Sequence, residues 1–299
     1  MRVSAAIPLQ AILVAVVIHA LWGGNPVAVK FSLLVFPPMW TAFLRFVLAI
    51  ICVTLWAWYR GIRFWPNRRE WPLLLGLGIL FTVQIATMNI GFDMTSGAMS
   101  AVLISTNPLF AAILAHFLIA NDRLSTVKAI GLVVALLGVS LALLRDSQLA
   151  DLQPTNPGNW VVLLSAALLG LRLVLGARML EKIDEVRVVV WQMLISLPLF
   201  AAGGFFWETI RWEHLGWGPL AGLAYQGFVV AGIGFMVSFY LMKKYTPSVM
   251  MSFNFVAPVA GVLLSAWLLS ERITVLLVAG MLLVGLGLFL IARPAAERA

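Results

Sequence analysis

At 299 residues, 62% hydrophobic and only 11% charged, the chain carries more apolar surface than a soluble fold of this length can hide, since soluble domains carry about 25% charged residues. A mean hydropathy of +1.01 makes lipid the solvent. The net charge of +8 is then a matter of membrane topology and not a footprint for nucleic acid.

Apolar windows near the roughly 20 residues that cross a bilayer predict spans at about 8–29, 39–59, 71–91, 97–119 and 127–145. A second set falls at about 159–178, 188–207, 217–240, 248–269 and 273–292. The first window runs on into Trp22-Gly23-Gly24-Asn25, not into a small-residue cleavage site, so it reads as a retained span and not a signal peptide. Cys52 lies alone in an apolar run, so no disulfide framework exists. The stretch from Arg145 to Asn159 carries Asp146, Asp151, Pro154, Asn156, Pro157 and Gly158, which is linker chemistry. It divides the chain into a five-span unit at 1–147, a linker at 148–158 and a second five-span unit at 159–299.

Basic residues orient this arrangement. With the N-terminus inside, fourteen of the 20 Lys and Arg fall in inner segments: Arg2, Arg60, Arg63, Arg68, Arg69, Arg123, Lys128, Arg178, Lys182, Arg187, Lys243, Lys244, Arg293 and Arg298. Outer segments hold four, Lys30, Arg145, Arg211 and Arg272. This bias predicts a multi-pass protein of the bacterial inner membrane with both termini cytoplasmic.

The halves also echo one another. Asn107-Pro108, Asp122-Arg123-Leu124, Gly131 and Gly138 are answered by Ala257-Pro258, Glu271-Arg272-Ile273, Gly280 and Gly287, at an offset of 150 residues for the prolines and 149 thereafter. Five spans per copy would turn the copies opposite ways in the membrane. The predicted fold is therefore all-α and integral to the membrane, ten transmembrane helices in two inverted five-helix repeats, the signature of alternating-access transporters.

Trp22-Gly23-Gly24-Asn25-Pro26-Val27-Ala28-Val29-Lys30, Pro37-Pro38 leading to Leu44-Arg45-Phe46, Asn107-Pro108, and Ala257-Pro258 with Ser270-Glu271-Arg272 resemble the drug/metabolite transporter superfamily, specifically its ten-helix EamA-type members. The resemblance spans nearly the whole chain. It implies export of amino acids, related metabolites or drugs through a central cavity lined by spans 1, 3, 4, 6, 8 and 9, with spans 5 and 10 peripheral. The first-half loop departs from the pattern, reading Asn121-Asp122-Arg123 where Gly/Ser-Glu-Arg is usual.

Ionisable residues inside a membrane are costly and are functional candidates by default. All twelve acids fall in loops or at span ends, so the candidates are Arg45, Arg172 and His19. Arg172 lies twelve residues beyond Trp160, roughly 18 Å along a helix. It reads either as a bidentate ligand for a substrate carboxylate or as a cap on the carbonyls of a broken helix. Arg45 reads first as a gating or structural ion pair with Asp93 or Glu271, and second as a substrate contact. His19, Trp22 and Pro26 share one helix face beside Asn25. His19 is either a hydrogen-bonded neutral imidazole or a proton-coupling group, and Trp22 either a platform for substrate or packing.

Pro26, Pro108 and Pro258 free backbone carbonyls one turn back, which lipid tolerates only where they are buried in protein or line a wet cavity. They are the candidate hinges. Ser105, Asn107, Gln84, Thr87, Tyr225, Gln226 and Asn254 supply polar groups at matching depth, each of them either cavity-lining or an interhelical hydrogen bond. The glycines of spans 5 and 10 read as close helix contacts.

No HExxH, HxxxxD, Cys/His cluster or Walker loop is present, which leaves an integral-membrane transferase as a remote reading. Multidrug export and nucleotide-sugar or sugar-phosphate transport are the alternatives within the superfamily. The sequence thus predicts a secondary transporter exporting small metabolites, amino acids or related carboxylates, with no cofactor and no metal. Its partners are a small-molecule substrate and the lipid bilayer, with no nucleic acid, as a monomer or a homodimer. Two halves rock about a cavity of Trp22, Asn25, Arg172 and Tyr225, and the lack of a buried acid favours movement down a gradient over proton coupling.

Overall fold

The computed structural model describes residues 8–62, 65–118, 125–144, 156–180, 183–237, 241 and 252–292. Most of the linker, the Asp122-Arg123 turn, Lys243, Lys244 and both termini lie outside the described residues. Those described form α1 (Leu9–Gly23), α2 (Asn25–Leu33), α3 (Pro38–Tyr59), α4 (Trp71–Met94), α5 (Gly97–Ile104), α6 (Asn107–Leu118), α7 (Thr126–Leu144), α8 (Pro157–Leu180), α9 (Glu185–Trp207) and α10 (Trp217–Ala224). A π-helical segment (Tyr225–Ile233) continues α10, a 3-10 turn (Ser252–Phe255) follows, and α11 (Val256–Leu268) and α12 (Val275–Ala292) complete the order. Among the described residues there is no strand.

Eight of these units, including Leu9–Leu33 and Gly97–Leu118 taken across their breaks, are long and apolar enough to cross a membrane. The last two predicted spans coincide with shorter apolar helices, Phe253–Leu268 and Val275–Ile291. Exposed Leu, Ile and Val cover the flanks of the bundle, and exposed Trp58, Tyr59 and Trp65 near one end and Trp207, Trp212, Trp217 and Trp267 near the other bracket that apolar band. Aromatic rings at both margins of a lipid-facing surface are the pattern expected of a bilayer-embedded bundle.

Contacts between helix ends sort the bundle into two faces. On the first, the guanidinium of Arg187 donates to both oxygens of Glu70, at 3.0 and 2.9 Å, and the Trp71 and Trp191 ring centroids lie 4.6 Å apart. On the second, the Glu208 carboxylate accepts the Met39 and Trp40 amides that open α3. There too Arg211 N donates to Val35 O at 2.9 Å and the Thr95 hydroxyl to Asn159 Oδ1.

The breaks come from local sequence. Pro26 sits in the first turn of α2, where its missing N–H is no loss, so Gly24-Asn25-Pro26 restarts the helix instead of merely kinking it. At the second break Ser105 Oγ, Thr106 Oγ1 and Asn107 Nδ2 donate to the carbonyls of Ala101, Leu103 and Ile104 at 2.6–2.9 Å. Those side chains satisfy backbone groups that lipid cannot.

Small residues bring the helices close. The largest helix–helix interface joins α7 to α12. A Cβ placed on Gly131 or Gly138 would meet the carbonyl of Gly287 or Gly280 within 2.8 Å, and the reverse substitutions meet Gly131 and Gly138 in turn. The two glycine pairs singled out in the sequence thus face one another across a backbone-to-backbone seam.

Candidate functional site

A cavity of about 300 Å³ lies inside the bundle. Its walls come from α1 and α2 (His19, Trp22, Asn25, Pro26), α4 (Phe81, Gln84, Met88), the α5–α6 break (Ser105, Asn107), α8 (Arg172), the π segment and its continuation (Val230, Phe235) and the 3-10 turn into α11 (Asn254, Ala257). The third helix also enters, through Arg45 and Phe46. Three interruptions predicted from Asn25-Pro26, Asn107-Pro108 and Ala257-Pro258 therefore meet at one cavity, although Pro108 and Pro258 themselves are buried and do not line it.

The cations define its chemistry. Arg45 is 4% exposed, and its Nε and Nη1 have no hydrogen-bond partner; the same holds for Nη1 of Arg172. Each guanidinium instead lies against a ring, Arg45 at 5.2 Å from the Phe46 centroid and Arg172 at 4.8 Å from that of Phe81. The two rings touch, centroids 4.8 Å apart. Such cation–π contacts contribute about 0.5–2 kcal/mol each, less than the few kcal/mol that a charge costs at this depth. No Asp or Glu stands among the described lining residues.

The expected pairing of Arg45 with Asp93 or Glu271 is not formed. Asp93 is exposed at the second face, and the Glu271 carboxylate is engaged by the Gly97 and Ala98 amides. The cation that feels both acids is Lys30, whose Nζ donates to the Asp93 carbonyl at 3.3 Å. Arg45 turns the other way because its face of α3 carries Ala42 and Ala49, one turn to either side, both fully buried.

His19 and Trp22 stand edge to face at 5.3 Å, and Trp22 meets Phe235 in the same manner at 6.3 Å. The His19 Nδ1 lies 2.8 Å from Ala15 O, which fixes that nitrogen as a donor, and Asn254 is within hydrogen-bonding reach of the ring. Gln84 Nε2 donates to Ser165 Oγ at 3.1 Å, leaving Oε1 unpartnered; Asn25 Oδ1 is unpartnered as well.

Three predicted lining residues are not brought to the cavity. Thr87 Oγ1 donates to carbonyls of its own helix, Val83 and Gln84. Tyr225 Oη donates to Leu21 O at 2.6 Å, and Gln226 Nε2 to Ser32 Oγ at 2.8 Å and Ala28 O at 3.2 Å, so both tie the π segment to the broken first span. The Phe46–Phe81 ring pair and the π segment were not singled out in the sequence. A π turn widens the helix and exposes carbonyls, and Val230 O accepts from Trp22 Nε1 at 3.4 Å there.

On the second-face side of the cavity three helices pack closely. A Cβ on Gly261 would lie 2.4 Å from the Ala101 Cβ and 2.8 Å from Gly23 O, so α1, α5 and α11 meet closely at the cavity wall, where Gly23 and Ala101 both line it.

A multi-span helical bundle with broken helices around a buried cationic cavity is the architecture of a membrane transporter. Residues 9–144 and again 156–293 match the EamA-like transporter family; the chain belongs to that family, within the drug/metabolite transporter superfamily. The transporter YoaV of Bacillus subtilis (strain 168) is 24% identical over 278 residues, covering 90% of this chain and 92% of that one. A protein of Escherichia coli (strain K12) named a probable amino-acid metabolite efflux pump is 27% identical over 289 residues, 92% of each chain. A crystal structure covering 97% of this chain and 99% of its own aligns with a TM-score of 0.69 at 20% identity, a likeness of fold.

Proposed function

We propose that this membrane transporter exports small carboxylates, amino acids among them, by alternating access between two inverted five-helix repeats. The carrying observation is Arg172, a guanidinium laid on the Phe81 ring inside a cavity whose described lining offers it no carboxylate. A substrate carboxylate supplies the missing charge in bidentate form. The name of the Escherichia coli relative supports the same direction. A cationic drug fits less well, because it would meet like charge and no acid.

The repeat reading draws support from packing. Gly23 lies against Ala257 and Gly261 of α11, and Gly170 lies against Asn107 and Ala111 of α6, so corresponding first helices of the two halves cross the proline-broken helix of the other half in the same way. The two family matches divide the chain at the same place. With both termini cytoplasmic in a bacterial inner membrane, the closely packed second face is periplasmic. Without an acid among the described lining residues, transport runs down the substrate gradient, with His19 a hydrogen-bonded neutral ring.

Uptake of labelled amino acids into proteoliposomes without a pH gradient tests this. Wild-type uptake that is lost in Arg172→Ala is the expected result. Uptake that needs a pH gradient and becomes uncoupled in His19→Ala would overturn the gradient-driven mechanism, and uptake retained in Arg172→Ala would remove the carboxylate role of Arg172.

A further inference from the structure

Two cations, not one, stand in this cavity, and their surroundings differ from those of structural arginines. A structural arginine buried in a bundle spends its five donors on carbonyls or acids. Arg45 is almost wholly buried and leaves Nε and Nη1 unspent; Arg172 leaves Nη1 unspent. The only described neighbours that offset their charge are the Phe46 and Phe81 rings. Both arginines line the same small cavity beside two rings that touch, and their like charges repel each other. Such an arrangement is sustained when an anion visits both.

One carboxylate engages one guanidinium fork. The two forks here are seated on different helices, α3 and α8, and on different rings, so a single carboxylate leaves the second cation unanswered. Two further lining residues, Asn25 and Gln84, each keep a buried unpartnered acceptor, Oδ1 and Oε1. They call for an N–H or O–H donor on the same ligand. The volume, about 300 Å³, is at the small end for ligand sites.

We infer that the substrate is a small two-headed acid, one carboxylate on Arg45 and the other on Arg172, carrying an amino or hydroxyl group for Asn25 and Gln84. Acidic amino acids and hydroxy-dicarboxylic acids are the class. The inference rests on this cavity being the carboxylate transport site and narrows that reading.

The test is competition and direct uptake in proteoliposomes holding the full chain, with glutamate, aspartate and malate against leucine and alanine. The expected result is a preference of at least about tenfold for the two-headed acids. Arg45→Gln and Arg172→Gln should each narrow that ratio to within about threefold, and Arg→Lys at either site should restore part of it. Equal or better transport of leucine by the wild type would overturn the two-headed inference and leave the single-carboxylate reading standing. Transport of neither kind would sink both. A preference that survives in both glutamine variants would overturn the assignment of the heads. If a variant fails to fold, the wild-type ratio alone decides.

Discussion

Glu271 holds the start of the fourth span through Gly97: its Oε1 accepts the Gly97 amide at 2.7 Å while Oε2 accepts that of Ala98 at 2.9 Å. The carboxylate comes from the turn after α11 and meets the first amides of α5, where the helix dipole is positive. Two packed helices that both contribute to the cavity lining are thereby latched at the second face. Ala101, one turn further in, forms part of the cavity wall. Glu271→Ala should cost about 1–3 kcal/mol, the usual range for losing charge-assisted hydrogen bonds. It should also speed labelling of a cysteine placed at Ala101, in a background lacking Cys52, by a membrane-impermeant maleimide added from the second face. An unchanged labelling rate would mean that the Gly23–Gly261–Ala101 seam seals this end without the latch.

The α7–α12 seam separates stability from function. A Cβ at Gly138 would sit 2.7 Å from both Gly280 O and Val284 N, which are backbone atoms that cannot swing aside. Gly138→Ala should therefore destabilise the protein by about 1–3 kcal/mol, the cost of overpacking. Transport per folded molecule should be little altered, since neither helix contributes to the cavity lining. Gly76 is the control: a Cβ there meets nothing within 4 Å. Gly76→Ala should be neutral or stabilising by up to about 1 kcal/mol. Thermal unfolding in detergent measures both, and equal melting temperatures for the two variants would refute the seam.

Much of this was legible in residue order, for reasons that also explain what was not. Spans follow from the length of apolar runs, so 39–59 and 159–178 emerge as Pro38–Tyr59 and Pro157–Leu180. The breaks follow from proline chemistry. Helix rotation does not, because a helix apolar on every side has no face written into it. Arg45 therefore looked nearest to Asp93 and Glu271, acids at its own end of the bundle, when packing turns it to the interior. The π segment from Tyr225 was invisible for a related cause: a change of helical period leaves no trace where nearly every residue is apolar. Gln226 and Tyr225 are polar at the right depth, and only the turn of that segment aims them at the first span.

Glu208 gives a pH dependence with a definite sign. Burial raises its carboxyl above the ordinary glutamate value, against the opposing pull of the Met39 and Trp40 amides. The folded protein thus binds this proton more readily than the unfolded chain does. The associated stability is full below the unfolded value of about 4.3 and is lost as pH rises through the raised folded value. The melting temperature of the wild type relative to Glu208→Gln should accordingly fall as pH rises across that window. A difference between the two that rises with pH, or stays flat, would contradict the assignment.

Gln84→Glu tests the electrostatics of the cavity without changing its shape. Gln84 is nearly wholly buried, lines the cavity one turn from Phe81, and has a free Oε1. The substitution is isosteric; Ser165 Oγ, which accepts from Nε2 and donates to the Gln84 carbonyl at 2.9 Å, would meet the carboxylate only by giving up that backbone bond. A carboxylate here would enter a cavity that already holds Arg45 and Arg172. Attraction to the two guanidiniums should raise the melting temperature. The same attraction competes with an anionic substrate and adds repulsion against it, so the apparent KM for acidic substrates should rise by at least about tenfold, each tenfold being about 1.4 kcal/mol of lost binding. Stability and transport should move in opposite directions, which a mere packing defect cannot do. A variant that loses both would locate Gln84 in the structural tie to Ser165 instead.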